Sequence, residues 1–491
     1  MKQYTIGLDF GTESARAVLV NTENGEIEAM AVHPYRNGVI DEYLPNGSIP
    51  LPPNYALQNP ADWLSTMEGT IREVLTMARV NSQQVAGIGI DFTSCTVLPT
   101  LADGTPLCFL PELRLEPHAW PKLWKHHGAQ EQADKINRLA AERSERWLPR
   151  YGGKISSEWL FSKAFEILED SPAIYARMDK IVEGADWVAW QLSGKLARNT
   201  CCAGYKGNWH KQDGYPNENY LRALNPGITD LFTHKASGPI AAPGEKIGGL
   251  TQAWADRLGL EPGCAVSASL IDAHAADIGG GVSETGILFM IMGTSTCHML
   301  MDEKEVLVPG ISGVVEDGIV PGLFGYEAGQ AGVGDIFGWF VEKSVPAEDQ
   351  EQARREGISI HTLLSRKAAE QKAGESGLLA LDWWNGCRTP LVDADLTGLV
   401  LGYNLLTRPE EVYRALIEAT AFGTRQIIEL FREGGVAVNR LRAGGGLTKN
   451  DLVLQVYADV TGMPIEITAS QQASALDRKS TRLNSSHVAL S

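Results

Sequence analysis

Two copies of one short pattern, set far apart in the chain, constrain its fold more than any other feature. The first copy runs from Ile6 to Val20 and reads as an apolar strand, a polar Gly-Thr-Glu-Ser turn and a second strand. The second copy runs from Gly286 to Met301 and has the same layout around Gly-Thr-Ser-Thr. Apolar alternation on both sides of a short turn predicts a β-hairpin. Its recurrence past the middle of the chain indicates a duplicated domain.

Both turns have the chemistry of a phosphate-binding loop. Small residues let a backbone approach a phosphate closely, and turn N–H groups and hydroxyls can donate to it. These residues are Gly11, Thr12, Glu13 and Ser14 in the first copy and Gly293, Thr294 and Ser295 in the second. Asp9 precedes the first turn, and a carboxylate beside phosphates implies a hard cation such as Mg2+. On the residues alone, an ordinary hairpin with an Asp capping its own turn explains the pattern equally well.

Length and charge restrict the class of protein. A chain of 491 residues is too long for one hydrophobic core, so two domains are expected. A net charge of −17 argues against nucleic acid or an anionic membrane as partner. The sequence contains no apolar run of about 18 residues and no leader pattern. Seven cysteines without a repeated spacing predict neither a disulfide framework nor a metal site, which favours the cytoplasm.

The order of predicted elements is that of an α/β protein. A strand within 85–99 follows a helix capped by Asn59, which indicates a mixed or parallel sheet covered by helices. Further helices are predicted within 116–150, 156–168, 180–192 and 341–377 and over Pro409–Glu433. The domain boundary is predicted at 260/261, which gives domains of 1–260 and 261–476.

Three polar residues outside the hairpins are candidates for chemistry, and each has a plainer explanation. Asp272 follows a strand, where α/β folds place reactive groups, but it could simply cap the next helix. Lys206 lies between two glycines, and composition alone favours a solvated loop over a ligand contact. Glu327 could bind a polyol hydroxyl or cap the helix that follows it.

A third glycine-rich stretch follows the strand that begins near Leu441. Gly444, Gly445 and Gly446 form a triple-glycine turn, and a helix begins close to Asn450. Such a turn would let an adenosine lie flat against the backbone. A helix-capping glycine run does not explain three glycines that come after a strand.

Taken together, Ile6–Val20, Gly293–Thr296 and Gly444–Gly462 resemble the FGGY carbohydrate kinases, which are related to actin and the heat-shock chaperones. Asp91-Phe-Thr-Ser-Cys-Thr and Leu270-Ile-Asp-Ala-His-Ala resemble the branch of that family that acts on ribulose. The helical stretch around Glu158–Lys163 matches the first motif of the family only loosely. The resemblance implies two duplicated actin-like, ribonuclease H-like domains with a nucleotide cleft between them.

The resemblance also implies an activity and its residues. The activity is ATP-dependent phosphorylation of ribulose, most simply L-ribulose in arabinose catabolism. Asp272 would be the base that takes the proton of the C5 hydroxyl, and Asp9 would hold Mg2+ through water. The implied sugar contacts are Ser94, Lys206 and Glu327, while Gly444, Gly445 and Asn450 would line the adenosine site. The sequence does not decide between a monomer and a homodimer.

Two alternatives remain at this stage. One is the same chemistry on another sugar or polyol, such as xylulose or ribitol. The other is a non-catalytic nucleotide switch like actin, which would keep both phosphate hairpins without needing a sugar pocket that contains Lys206 and Glu327.

The end of the sequence departs from the family. Residues 477–491 read as the in-frame translation of a sequencing adaptor. We therefore predict that this tail is not native and that the second domain is incomplete after residue 476. An incomplete domain could expose a sheet edge and apolar helix faces, so an inactive chain is a further expectation.

Overall fold

A computed structural model describes residues 3–45, 47, 49–393 and 395–468, together with the backbone of the strand Val488–Leu490. The chain forms two compact units. The first contains the described residues through Ser283 and the segment Val314–Gly325; the second contains Glu284–Gly313 and the described residues from Tyr326 onward. Apart from Val488–Leu490, the predicted non-native tail of 477–491 lies outside the described residues.

The first unit is a mixed sheet with surrounding helices. Its strands are β1 (Tyr4–Phe10), β2 (Ser14–Asn21), β3 (Ile27–Pro34), β4 (Val85–Phe92), β5 (Val97–Thr100), β6 (Lys180–Glu183), β7 (Arg198–Asn199), β8 (Ile240–Ala241), β9 (Lys246–Gly249), β10 (Ala265–Ser267) and β11 (Leu270–Ile271). Its helices are α1 (Pro60–Ala78), α2 (Gln130–Glu142), α3 (Leu160–Asp170), α4 (Pro172–Arg177), α5 (Gly184–Ser193), α6 (Thr200–Tyr205), α7 (Glu218–Leu224), α8 (Gln252–Leu258) and α9 (Asp272–Gly279).

The main sheet of the first unit has the order β3-β2-β1-β4-β10-β9, with β11 also beside β4. β1 and β2 form the predicted hairpin, and β1 runs parallel to β4. β10 and β11 extend this sheet, also parallel to β4. The units therefore divide at 283/284, later than the predicted boundary of 260/261, because residues after 260 complete the first sheet.

The second unit repeats this plan. Its strands are β12 (Ile287–Met292), β13 (Thr296–Asp302), β14 (Gly313–Glu316, mostly in the segment of the first unit), β15 (Phe324–Gln330), β16 (Leu379–Leu381), β17 (Leu399–Leu401), β18 (Arg440–Gly444), β19 (Ile465–Ile467) and β20 (Val488–Leu490). Its helices are α10 (Gly334–Lys343), α11 (Ala347–Glu356), α12 (Ile360–Ala369), α13 (Pro409–Glu433) and α14 (Asp451–Thr461).

The centres of the two main sheets match. The second has the order β14-β15-β13-β12-β18-β19-β20, in which β12 and β13 form an antiparallel hairpin and β12 runs parallel to β18. β12 and β18 thus correspond to β1 and β4 of the first sheet. A long helix precedes the parallel strand in both units, α1 before β4 and α13 before β18. This confirms the predicted duplication.

Several predicted helices have different bounds in the structure; the helix predicted within 156–168 runs over Leu160–Asp170. Residues 180–192 begin as β6, because the β-branched pair Ile181 and Val182 pairs with β5 before α5 starts at Gly184. Within 116–150 the α-helix is confined to Gln130–Glu142. The helix over Pro409–Glu433 is confirmed at both ends. No helix in the described part of the chain is long and apolar enough to cross a membrane.

The segment Val314–Gly325 packs on α6 within the first unit. The backbone oxygen of Asp317 accepts a hydrogen bond from Thr200 Oγ1 at 2.6 Å, and Asp317 Oδ2 accepts one from Lys211 Nζ at 2.6 Å. A side-chain carbon at Gly204 would collide with Val315, and one at Gly318 would lie 2.8 Å from the Tyr205 ring. The absence of side chains at these glycines is what allows the segment and the helix to meet.

Candidate functional site

Three carboxylates of the first unit lie at one edge of its sheet. Asp9 near the end of β1 is paired in register with Asp91 of β4. Leu270 of β11 is paired with Asp91, so Asp272 directly follows the same edge. Asp9 is 6% exposed and Asp91 3%. The carboxyl ends of parallel strands therefore bring these acids together, which is where α/β folds place chemistry.

Asp91 was not predicted as a site residue. It stands in a stretch that resembles a sugar kinase, but only the register between β1 and β4 reveals that it neighbours Asp9. Asp9 Oδ2 also lies 3.3 Å from Arg16 Nη1, its cross-strand neighbour on β2. Arg16 thus places a positive charge beside this carboxylate.

The carboxylates of Asp9 and Asp91 fit a Mg2+ ion that takes its remaining ligands from water and phosphate. The described residues contain no cluster of three or more His, Cys, Asp or Glu side chains that could hold a metal alone. Mg2+ commonly uses one or two carboxylates and completes its octahedron with water and phosphate oxygens. Asp9, with Asp91 beside it, meets that requirement.

The first turn is held by side chains from distant segments. Gly11 N donates to Ser14 O at 2.9 Å and closes the turn. Trp124 Nε1 donates to Thr12 Oγ1 at 3.0 Å, and Gln58 Nε2 donates to Thr12 O at 2.7 Å. Glu13 is exposed. Trp124 gave no signal in the sequence, because its link to Thr12 spans more than a hundred residues.

Ser94 and Lys206 also belong to the first unit. Ser94 is half-buried in the turn after β4 and lies beside Cys95, whose φ of 57° is left-handed. Lys206 follows α6 and is 4% exposed, so the expectation of a solvated loop lysine is wrong. Its Nζ lies 5.3 Å from the centre of the Trp159 ring, and its backbone oxygen accepts from Leu160 N at 3.2 Å. Tertiary packing on α3 buries it.

Asp272 is the first residue of α9 and is half-buried. The residue in the capping position is Ile271, and Asp272 follows it as the first helical residue. Asp272 Oδ1 accepts from Ala273 N at 2.7 Å. This bond fixes one carboxylate oxygen at the start of the helix.

In the second unit, the second turn is locked onto the start of α10. Gly293 N donates to Ser295 O at 2.9 Å. The oxygen of Thr294 accepts from Val333 N at 2.8 Å, and that of Gly293 accepts from Gly334 N at 3.0 Å. These bonds give the turn of Gly293, Thr294 and Ser295 a fixed shape.

The triple-glycine turn lies against the strand that leads into this second turn. Gly445 has φ 96° and ψ 178°, and a side-chain carbon there would lie 2.5 Å from Met292 O. Met292 ends β12 immediately before Gly293. The structure thus places Gly444 and Gly445 against β12, the first strand of the second hairpin.

A cavity of about 520 Å3 opens beside this turn, wholly within the second unit. Its lining includes Gly446 and Asn450 from the glycine-rich motif, Phe337 from α10, and His361 and Ser365 from α12. The volume is in the range of small-molecule sites. Asn450 caps α14 by accepting from Leu452 N at 3.1 Å, and its Nδ2 donates to Ser365 Oγ at 2.9 Å.

The contribution of α12 to this cavity was not anticipated. Residues 341–377 read as charged, exposed helix, and no motif marks Ser365 or His361. Glu327 stands in β15 and is 7% exposed. The residue that caps the following helix, α10, is Val333, so Glu327 does not have the plainer role of a cap.

Comparison with known proteins agrees with this arrangement. Residues 4–279 match the N-terminal domain of the FGGY family of carbohydrate kinases, and residues 288–476 match its C-terminal domain. The ribulokinase of Geobacillus thermodenitrificans is 55% identical over 97% of this chain and 84% of its own length. The ribulokinase of Mycolicibacterium smegmatis is 50% identical over 96% of this chain and 84% of its own.

Solved structures have the same fold. Xylulose kinase from Rhodospirillum rubrum superposes with a TM-score of 0.77 at 22% identity, over 96% of this chain and 88% of its own. Glycerol kinase from Plasmodium falciparum gives 0.74 at 15% identity, over 97% and 88%. The two units thus have the actin-like, ribonuclease H-like fold that the resemblance implied. The chain belongs to the FGGY family of carbohydrate kinases.

Proposed function

We propose that this sugar kinase transfers the γ-phosphoryl group of ATP to ribulose, and that its substrate is L-ribulose, which becomes L-ribulose 5-phosphate. The observation that carries the proposal is the identity of 50–55% to several proteins named ribulokinase over almost the whole chain. The structural neighbours named xylulose kinase are at most 22% identical and support the fold only.

Within this proposal, Asp272 acts as the general base. Its carboxylate would accept the proton of the attacking sugar hydroxyl while that oxygen bonds to the γ-phosphorus and the bond to ADP breaks. Ser94 and Lys206 would orient the sugar from the first unit, and Glu327 would contribute a carboxylate from the second. The supporting observations are that Lys206 and Glu327 are buried although both are charged.

The nucleotide would be held through backbone atoms and the second unit. Gly444, Gly445 and Asn450 would line the adenosine, whose size suits the adjoining cavity. The turns at Gly11–Ser14 and Gly293–Ser295 would donate to phosphate oxygens. Asp9 would bind Mg2+ through water, and this cation neutralises phosphate charge when bound.

The assay is ATP consumption in the presence of L-ribulose, D-ribulose, D-xylulose, ribitol or no sugar. We expect turnover that requires ribulose. Asp272→Asn should lower kcat by about 10²–10⁴-fold, the usual contribution of a positioned base. Asp256→Asn on the exposed side of α8 makes the same chemical change away from the sheet edge and should leave kcat at the wild-type value.

Each other outcome would revise the proposal. A preference for xylulose or ribitol would move the enzyme to another branch of the family. ATP hydrolysis that requires no sugar and is unchanged by the Asp272→Asn substitution would favour a nucleotide switch.

We further propose a cytoplasmic location, which is supported by seven cysteines, none of them in a disulfide. A homodimer stays a prediction.

A further inference from the structure

A second lysine of the first unit is buried more completely than Lys206. Lys163 on α3 is 0% exposed. Its Nζ donates to Cys95 O at 2.7 Å and to Leu123 O at 2.8 Å, and it lies 3.4 Å from Lys122 O. An ammonium has three donors, and here all of them are directed at backbone carbonyls of two separate segments.

The two segments end at different parts of the proposed site. Cys95 directly follows Ser94, and its left-handed φ of 57° is a conformation that a non-glycine residue keeps only when its surroundings impose it. Leu123 directly precedes Trp124, whose indole N–H donates to Thr12 Oγ1 at 3.0 Å. One ammonium thus connects the turn of Ser94 to the turn of Thr12.

The start of the same helix also contacts Lys206, the other residue of the first unit that is proposed to orient the sugar. Leu160 N donates to Lys206 O at 3.2 Å, and Trp159 lies under the Lys206 ammonium. Burial lowers the pKa of Lys163 to about 8, and the nearby groups Cys95, Glu158 and Glu183 oppose that effect. A site that keeps an ammonium in so dry a place must offer it strong acceptors.

We infer that Lys163 is a positioning residue that fixes the Ser94 turn relative to the Thr12 turn, so that sugar and phosphate are held in one geometry. The inference rests on the proposed roles of Ser94 and Thr12. A lysine that only stabilised the fold would need no such placement, because any buried carbonyls could accept from it.

The chain offers a matched control. Lys235 is also buried, and its Nζ donates to the backbone oxygen of Met178 at 2.8 Å, but no contact described above joins it to either turn. Lys163→Met and Lys235→Met both remove a buried ammonium, although Lys235 Nζ also lies 3.5 Å from Asp230 Oδ2. Loss of stability alone should be common to both variants.

The first measurement is hydrogen exchange of the ligand-free protein. Val97 N donates to Lys122 O at 3.1 Å, and Lys122 N donates to Val97 O at 2.9 Å, so these amides lie between the carbonyls that Lys163 holds. We expect Lys163→Met, but not Lys235→Met, to speed exchange at both amides by at least about tenfold. Unchanged exchange in Lys163→Met would overturn the link whether or not the protein turns over ribulose.

The second measurement is steady-state kinetics. Lys163→Met should raise the KM for ribulose by about tenfold to a hundredfold, the range expected for buried carbonyls that lose a charged donor. The KM for ATP should change by less than about threefold, because Trp124 and Gln58 still hold the Thr12 turn directly and the proposed adenosine cavity is built by other elements. A proportional change in both KM values, or the same change in Lys235→Met, would reduce Lys163 to a structural role.

Two further outcomes keep the test decisive. If Lys163→Met does not fold, Lys163→Gln retains one donor group and should give an intermediate exchange rate and KM; wild-type values would refute the inference. If the wild type shows no ribulose-dependent turnover, the proposed function fails, while the exchange data still decide the link.

Discussion

The conformation of Gly445 allows a prediction about nucleotide binding that separates strain from bulk. Its φ of 96° with ψ of 178° lies in a region that only glycine occupies readily, and forcing another residue there costs roughly 1–3 kcal/mol. A methyl group would also lie 2.5 Å from Met292 O, a backbone atom that ends β12. Gly445→Ala must therefore distort its own turn, the end of β12, or both.

The expected magnitude follows from that strain. Since about 1.4 kcal/mol corresponds to a tenfold change in affinity, a strain of this size that is relieved by distorting the site weakens binding by roughly 5- to 150-fold. The assay is calorimetric titration with ADP, together with the KM for ATP. The KM for ribulose should change little, because Gly445 lies in the second unit beside the proposed adenosine site.

The neighbouring glycine provides the control. A methyl group at Gly446 would meet no atom within 4 Å, and its φ is not left-handed. Any effect that Gly446→Ala shares with Gly445→Ala reports a methyl group near the cavity, and the difference between them reports strain. If both variants bind ADP with the same affinity and unfold at the same temperature, the reasoning is refuted.

Two further predictions concern charge. Burial raises the pKa of Glu183 to about 8 from its ordinary value of 4.5, so folding takes up a proton and the free energy of unfolding should fall as pH rises from about 4.5 to 8. Glu183→Gln should flatten this part of the thermal stability profile, whereas an unchanged slope would show that Glu183 does not cause it. Removal of divalent cations should abolish turnover and added Mg2+ should restore it, with Asp9→Asn raising the Mg2+ concentration for half-maximal rate by about tenfold or more. A wild-type Mg2+ dependence in that variant would refute the role of Asp9.

The sequence was informative where function depends on neighbours in the chain. Both hairpins and the helix over Pro409–Glu433 follow from local periodicity, turn chemistry and a proline at the first helical position. The strand β6 was missed because four residues are too few for a pattern, and its pairing with β5 decides its conformation.

The site residues that escaped prediction all depend on contacts between distant segments. Asp91 becomes a neighbour of Asp9 only through the register of β1 and β4, and Trp124 reaches Thr12 across 112 positions. Ser365 enters the cavity from a helix whose sequence reads as exposed. Lys206, which the family resemblance did mark as a sugar contact, looked solvated on composition alone because its burial is imposed by α3.

The segment Val314–Gly325 determines how the first unit could be expressed as a separate fragment. It packs on α6 through Gly204 and Gly318, yet it is encoded after the first hairpin strands of the second unit. A fragment that stops at Ser283 would therefore lack part of its own packing and leave Tyr205 uncovered beside Lys206. An autonomous version of the first unit would require splicing this segment back by a designed linker, and the plain fragment should be the less stable of the two.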